Sequence, residues 1–183
     1  MKPTLIILGL FTLLVGFGSP RQDQSQPKVC GFTLQGEPSQ PTVTGPDFIL
    51  PLVYVVEQPD SPIEIVSVDL NSMFLSVSNE RHSERNCAKY QVHNRSDRTI
   101  AAFQLQLMVM AHEGGGSSQT QSTSSLAPGQ TVEVGSCNGA GNGGAPENYV
   151  RVLILVNSMD LGECIYRPSL RIPRGLGVHS SEL

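Results

Sequence analysis

Apolar and polar residues alternate along much of this chain, and a period of two is typical of strands with one buried face. The clearest alternation is in Phe103–Met110. There one face carries Phe103, Leu105, Leu107 and Val109, and the other carries Gln104, Gln106, Met108 and Met110. Residues 88–93 repeat the pattern. In Ile63–Leu70 the phase changes between Ile65 and Val66, which predicts a β-bulge.

Further strands are predicted where apolar residues are continuous or the segments are short. Tyr149–Val156 is apolar apart from Arg151, which predicts a central strand buried on both faces. Phe48–Val56 contains Pro51, which predicts an edge strand or a broken strand. Ser117–Ser125 is polar and predicts an edge strand. Other short strands are predicted at Val29–Leu34, Met73–Val77, Thr131–Val134 and Cys164–Tyr166.

This strand pattern predicts the fold class and the limits of the folded unit. No segment carries apolar residues at the spacing of an amphipathic helix. Repeated short strands with turns between them predict an all-β antiparallel sandwich of about seven strands in residues 61–170. Before it, residues 19–60 form a Pro/Gly-rich segment with one or two short strands and a linker or loop at Gln35–Pro46. Residues 171–183 are expected to form a flexible tail.

The first 18 residues have the pattern of a secretory signal peptide. Lys2 provides a positive charge, Leu5–Phe17 is apolar, and Gly16 and Gly18 precede a cut before Ser19. The alternative is an uncleaved membrane anchor, but the apolar run is about 13 residues against the roughly 20 that span a bilayer. We expect export to the periplasm or the medium, with no membrane span after cleavage.

Composition narrows the class of partner. Charged residues make up 15% of the chain, and the formal net charge is −4. Nucleic-acid binding requires clustered Lys and Arg side chains, whereas the 12 basic residues here are scattered. The sequence therefore favours an unknown protein or cell-envelope partner over a nucleic acid.

Three short motifs make residues 61–166 similar to a known group of proteins. Tyr90–Ile100 resembles an N-x-S-x-K/R-x-I hairpin, and Leu126–Thr131 resembles an L-x-P-G-x turn. Val150–Tyr166 resembles a final strand pair, although Gly162–Tyr166 stands where similar chains have D-G-x-x-W. The chain thus resembles small secreted bacterial proteins with an FxLYD-type immunoglobulin-like (Ig-like) β-sandwich. The resemblance implies that architecture and export, with no inherited active site.

The cysteine count suggests two disulfides in an exported chain. The four cysteines are Cys30, Cys87, Cys137 and Cys164, and sequence alone allows three connectivities. In the Ig-like order, the strand after Cys87 and the strand before Cys137 are antiparallel neighbours, so the start of one lies beside the end of the other. That order predicts Cys87–Cys137 and Cys30–Cys164, whereas a Cys137–Cys164 bridge would contradict it.

One strand face carries possible metal ligands. Met108, Met110 and His112 are two residues apart, so a continuous strand places them on one face. Thioethers and imidazole suit copper in an oxidising compartment. The alternative is that the methionines fill gaps under a neighbouring segment, as flexible thioethers often do.

Four other motifs each have an ordinary structural reading. Asn94–Ser96 matches a glycosylation sequon but also suits a turn. Gly139–Gly144 lacks the strand-to-helix context of a phosphate loop, and His112–Gly116 lacks a nucleophile elbow. Residues 80–85 predict a solvated charged loop that could contact a partner.

These observations favour one class of function over two others. We expect an exported, non-catalytic, Ig-like binding or scaffolding module with no cofactor. The alternative is a periplasmic copper-binding protein that uses Met108, Met110 and His112. An enzyme is the least supported class, because no nucleophile and base stand at a recognisable spacing.

Overall fold

The computed structural model describes residues 30–74, 87–112, 115–136 and 146–171. Within these ranges the chain forms nine strands and three short helical turns. The strands are β1 Thr42–Thr44, β2 Val53–Val55, β3 Ile63–Asp69, β4 Ala88–Asn94, β5 Ala102–Ala111, β6 Gly115–Ser122, β7 Thr131–Ser136, β8 Tyr149–Asp160 and β9 Ile165–Tyr166. The helical turns are Leu50–Leu52, Asn71–Phe74 and Pro146–Asn148.

The strands form two sheets that pack face to face. Sheet I has the order β1-β3-β4-β7, and sheet II has the order β2-β8-β5-β6 with β9 added to β8. The pairs β1–β3 and β2–β8 are parallel, and the other pairs are antiparallel. Alternate residues of both sheets meet in one core that includes Tyr90, Val92, Leu105, Leu107 and Ile154. The chain is therefore an all-β sandwich.

The two strongest patterns in the sequence correspond to the two central strands of sheet II. In β5, Phe103, Leu105, Leu107 and Val109 are buried and the residues between them are half-buried. In β8, all five residues of Val152–Val156 are buried. Leu153 is buried on the outer face, where Tyr54 and Met108 are its register neighbours. Since β8 lies between β2 and β5, it is the doubly buried central strand that its apolar run predicts.

The phase change in β3 is a β-bulge, as predicted. The β3–β4 register pairs Ile65 with Val92 and then Ser67 with Gln91, so Val66 is the extra residue. The extra residue lets Ile63 and Ile65 on one side and Val68 on the other all reach the core.

The predicted strand at Met73–Val77 is wrong for the part that the structure describes. Asn71–Phe74 is a helical turn, and residues 75–77 lie outside the described ranges. Asp69 starts this turn, because its carboxylate accepts hydrogen bonds from both the backbone N–H and the side-chain amide of Asn71. Such a cap competes with the extended backbone that the apolar residues favour.

The segment before residue 61 contributes more to the sandwich than its composition indicates. Val29–Leu34 does not form the predicted strand in its described part, where Leu34 makes a single bridge to Ser96. The stretch predicted as a linker at Gln35–Pro46 contains β1, which joins the edge of sheet I. After the turn at Pro51, β2 forms the predicted edge strand of sheet II. Both sheets thus take an edge strand from before the predicted boundary.

A disulfide ties the N-terminal segment to the end of the chain. It joins Cys30 to Cys164 with a Cα–Cα distance of 5.8 Å, and the rings of Phe32 and Tyr166 pack edge to face nearby at 4.9 Å. Cys87 is also disulfide-bonded. Cys137 lies outside the described residues, so its pairing with Cys87 stays a prediction.

Two terminal predictions lie outside the described residues: the signal peptide at 1–18 and the tail beyond Arg171. Among the residues that are described, no helix has the length and apolar character needed to cross a bilayer.

Candidate functional site

A buried asparagine organises the turn that follows β4. The side-chain oxygen of Asn94 accepts hydrogen bonds from the backbone N–H and the hydroxyl of Ser96, at 3.0 and 2.7 Å. Its amide nitrogen donates to the carbonyl oxygens of Arg98 and Leu126, at 2.8 and 2.9 Å. The side chain is fully buried with all four hydrogen-bonding positions used. This clamp fixes the backbone at the next residue, Arg95.

The Arg95 side chain is buried with most of its donors unpaired. It is 5% exposed, and its Nη2 donates to the carbonyl oxygen of Pro59 at 3.3 Å. Nε and Nη1 have no hydrogen-bond partner in the described part of the chain. The Arg95 backbone is held firmly, because its N–H donates to Pro62 and its carbonyl accepts from Gln35. A guanidinium has five N–H donors, and the three on Nε and Nη1 are buried with no partner among the described residues.

Arg95 lies in the wall of a cavity of about 450 Å³ between the edges of the two sheets, here called the lateral cavity. Sheet II supplies β2 and Val156, and sheet I supplies Val43 and Ile63–Ile65. The segment Pro38–Pro41 forms a further side. A cavity of this volume is within the range that binds small organic molecules. Its lining is mixed, with valine, isoleucine and proline residues beside polar and charged ones.

The lateral cavity exists because the edge strand of sheet I separates from β3. The parallel β1–β3 register begins at Thr42 and Ser67 and does not extend to the first residues of β3. Pro41 precedes this point and has no backbone N–H to continue the ladder. Ser39 instead donates from its backbone N–H and its hydroxyl to the Glu64 carboxylate. The space between this segment and β3 becomes part of the cavity.

On the other side of the cavity, the backbone pairing at the edge of sheet II also stops. Gln58 uses its side-chain amide in place of backbone pairing, with hydrogen bonds of 2.8 and 2.7 Å to the carbonyl and N–H of Val156. The chain then turns through Pro59 towards β3. Tyr54 also lines the cavity, and its hydroxyl is buried without a partner among the described residues. Burial first, and the Glu57 carboxylate second, raise the pKa of Tyr54.

Charges of both signs lie around the cavity, but only one cation is buried. Glu57 and Arg171 line it and are exposed, and their backbones form an isolated bridge. Glu64 is half-buried and already accepts from Ser39. Arg95 is therefore the one strongly buried charge in the described wall of the cavity.

The predicted copper ligands are not assembled by a continuous strand. Met108 and Met110 are half-buried on the face of β5 that points away from the core, opposite Leu153 and Arg151 of β8. His112 lies one residue beyond the end of β5, past a register shift at Met110, and is exposed. The face-sharing argument holds for the two methionines, and the copper hypothesis stays a prediction.

The structure describes two of the other sequence motifs and leaves two outside its described residues. The sequon at Asn94–Ser96 is the buried turn just described, so its asparagine amide is inaccessible in the folded chain. The Leu126–Gly129 turn is also present, with Gly129 at a positive φ of 72° and Gln130 bonded to Ala127. The charged loop at 80–85 and the glycine run at 139–144 lie outside the described residues.

Arg95 and the lateral cavity are absent from the candidates that the sequence suggests. The residues that meet there come from six separated parts of the chain: 38–43, 53–59, 63–65, Arg95, Val156 and Arg171. A sequence signal does exist for the turn, in the N-R-S-D-R run, but nothing local indicates which way its first arginine points.

Comparison of this chain with models of protein families, with curated proteins and with solved structures found no match.

Proposed function

We propose that this protein is an exported, non-catalytic, Ig-like binding module whose ligand site is the lateral cavity. The observation that carries the proposal is the buried guanidinium of Arg95 in the wall of a cavity of about 450 Å³, with Nε and Nη1 unpaired among the described residues. Burying a cation without partners is costly, so chains keep such groups where a bound anion or a functional role compensates them.

The chemistry of the cavity supports binding over catalysis. A guanidinium keeps its charge in proteins and offers fixed donors, so it holds anions and does not exchange protons as an acid or base would. Aliphatic walls from Val43, Val53, Val55 and Ile63 add contact area for an apolar body. A buried charge beside apolar contact surface is typical of binding sites for small ligands.

The strand order supports the Ig-like class. The set β3-β4-β7 faces the set β9-β8-β5-β6, and β4 and β7 are antiparallel neighbours, as an Ig-like order requires. The parallel edge strands β1 and β2 are additions to that order. The signal-peptide pattern of residues 1–18 and the Cys30–Cys164 disulfide support export, since disulfides persist in oxidising compartments.

Occupancy of the cavity can be tested with a neutral probe. 1-Aminoanthracene fluoresces more strongly in apolar surroundings, and we expect saturable binding to the purified full chain. Val43→Phe adds volume to the cavity wall and should weaken binding by about tenfold.

Val132→Phe is the matched control. Val132 is also a half-buried valine of sheet I that packs on the core, but it lies on β7 and outside the cavity. It should leave binding of the probe unchanged. Absence of saturable binding to the wild type, or equal weakening by both variants, would remove the proposal.

A further inference from the structure

We infer that the ligand of the lateral cavity is a monocarboxylate on an apolar chain, with the carboxylate paired to Arg95. This inference rests on the proposed function and names its ligand class. Such a site has two requirements, a fixed pair of donors for the carboxylate and apolar surface for the rest of the ligand.

The donor geometry favours a carboxylate. A guanidinium is planar and pairs with a planar carboxylate through two parallel N–H···O bonds. Nη2 of Arg95 donates one of its two N–H groups to Pro59, so its other N–H, together with the adjacent N–H of Nε or of Nη1, can form such a pair. The backbone on both sides of Arg95 is held by Pro62 and Gln35, so the guanidinium is attached to a fixed point of the turn.

The charge balance limits the ligand to one negative charge. A dianion such as phosphate would be attracted by only one buried cation and would be repelled by two carboxylates of the wall, Glu57 and Glu64. Arg171 could offset part of this repulsion, but it is exposed and therefore screened by solvent. A monoanion matches the single buried guanidinium.

The apolar part of the ligand follows from the aliphatic walls. The cavity is lined by Val53, Val55 and Val156 on one side and by Ile63 and Ile65 on the other, together with Arg95. An aliphatic chain that replaces water there gains contact on both sides. A free monocarboxylic acid and the C-terminal carboxylate of a peptide share this chemistry.

Competition against 1-aminoanthracene tests the carboxylate directly. We expect octanoate to displace the probe from the wild type at a concentration at least about tenfold lower than octanamide, its neutral isostere. In Arg95→Met the two compounds should become equal, through loss of octanoate binding with octanamide binding kept. Arg95→Lys should recover only part of the preference, because an ammonium cannot form the paired bonds.

The Arg95→Met variant is expected to fold. Methionine removes the uncompensated buried charge and keeps much of the volume, so its midpoint of urea unfolding should equal or exceed that of the wild type. If the variant is more stable than the wild type but no longer binds octanoate, Arg95 is a binding residue, since replacing a structural arginine would lower stability.

Two peptide probes separate the possible sources of the carboxylate. Acetyl-Ala-Leu-Val with a free C-terminus should compete better than its amidated form if the site accepts peptide ends, and octanoate alone should compete if it accepts free acids. Equal competition by octanoate and octanamide would overturn the carboxylate inference and leave the binding proposal intact. Failure of 1-aminoanthracene to bind would remove both.

Discussion

At the scale of single residues, Asn94 connects three parts of the molecule. Its backbone N–H donates to Gln130 and its carbonyl accepts from Gly129, while its side chain reaches Ser96, Arg98 and Leu126. The end of β4, the turn after it and the turn before β7 are therefore held by one side chain. Arg95 owes its position to this arrangement.

Replacement of Asn94 by alanine should be strongly destabilising. It would leave the carbonyl oxygens of Arg98 and Leu126 and the N–H of Ser96 without these partners in a buried place, at a cost of about 3 kcal/mol or more in the free energy of unfolding. Urea unfolding followed by circular dichroism measures the change.

Asn157→Ala is the matched control for that variant. Asn157 is a half-buried asparagine whose side-chain amide donates a hydrogen bond to Gln104 on the outer face of sheet II. Its loss should cost less than about 1 kcal/mol. Equal costs for the two variants would contradict the role given to Asn94.

The N-R-S-D-R run predicts a turn from local chemistry, because asparagine and serine side chains bond to nearby backbone. The direction of Arg95 depends instead on Pro59, Pro62 and Gln35, which are distant in sequence. This is why the turn could be predicted from the sequence and the buried guanidinium beside it could not.

At the scale of elements, Asp60 fastens the segment after β9 to the turn before β3. Its carboxylate accepts hydrogen bonds from the Tyr166 hydroxyl and from the backbone N–H and hydroxyl of Ser169. Partial burial alone would raise the pKa of Asp60, but these hydrogen bonds outweigh it and the pKa is lowered. In return, burial and the Asp60 carboxylate raise the pKa of Tyr166 to about 12.

The lowered pKa of Asp60 makes the free energy of unfolding depend on pH in the acid range. A depressed folded pKa means that the stabilisation is fully present above the unfolded value of 3.8 and is lost as the pH falls through the folded value. We expect the melting temperature of the wild type to fall more steeply than that of Asp60→Asn below about pH 4.

Tyr166→Phe provides a second arm of that experiment. It removes one bond to Asp60 and keeps the ring beside Phe32, so its acid dependence should lie between those of the wild type and Asp60→Asn. Parallel pH curves for all three proteins would show that Asp60 does not carry the effect.

Elements whose signal is local were predictable. The alternation in β5, the apolar run of β8 and the bulge in β3 each follow from the pattern of the segment itself. One element that was missed depends on a partner elsewhere: β1 is three residues long and exists through its pairing with Ser67–Asp69. The helical turn at Asn71 was missed for a different reason, because the nearby Asp69 carboxylate caps it and overrides the extended backbone that its apolar residues favour.

At the scale of the whole molecule, the antiparallel β4–β7 pair makes a prediction about the second disulfide. Ala88 lies opposite Ser136, and each is the sequence neighbour of a cysteine, Cys87 or Cys137. Peptide mapping of the purified, oxidised full chain without reduction should therefore yield two separate bridged peptides, Cys87–Cys137 and Cys30–Cys164. A Cys137–Cys164 peptide would contradict the pairing, and a reduced, alkylated sample is the control.

The parallel pairing of β2 with β8 affects the order in which the strands fold. Thr42 of β1 pairs with Ser67, which follows soon after it in the chain. Val53 of β2 pairs with Val152, so β2 must wait for a partner that is made almost a hundred residues later. A ribosome delivers the N-terminal end first, and closing such a long loop is slow compared with forming a hairpin. Docking of β2 onto β8 is thus a late step of folding, and the pocket around Arg95 forms only after Val156 and Arg171 of its wall have been synthesised.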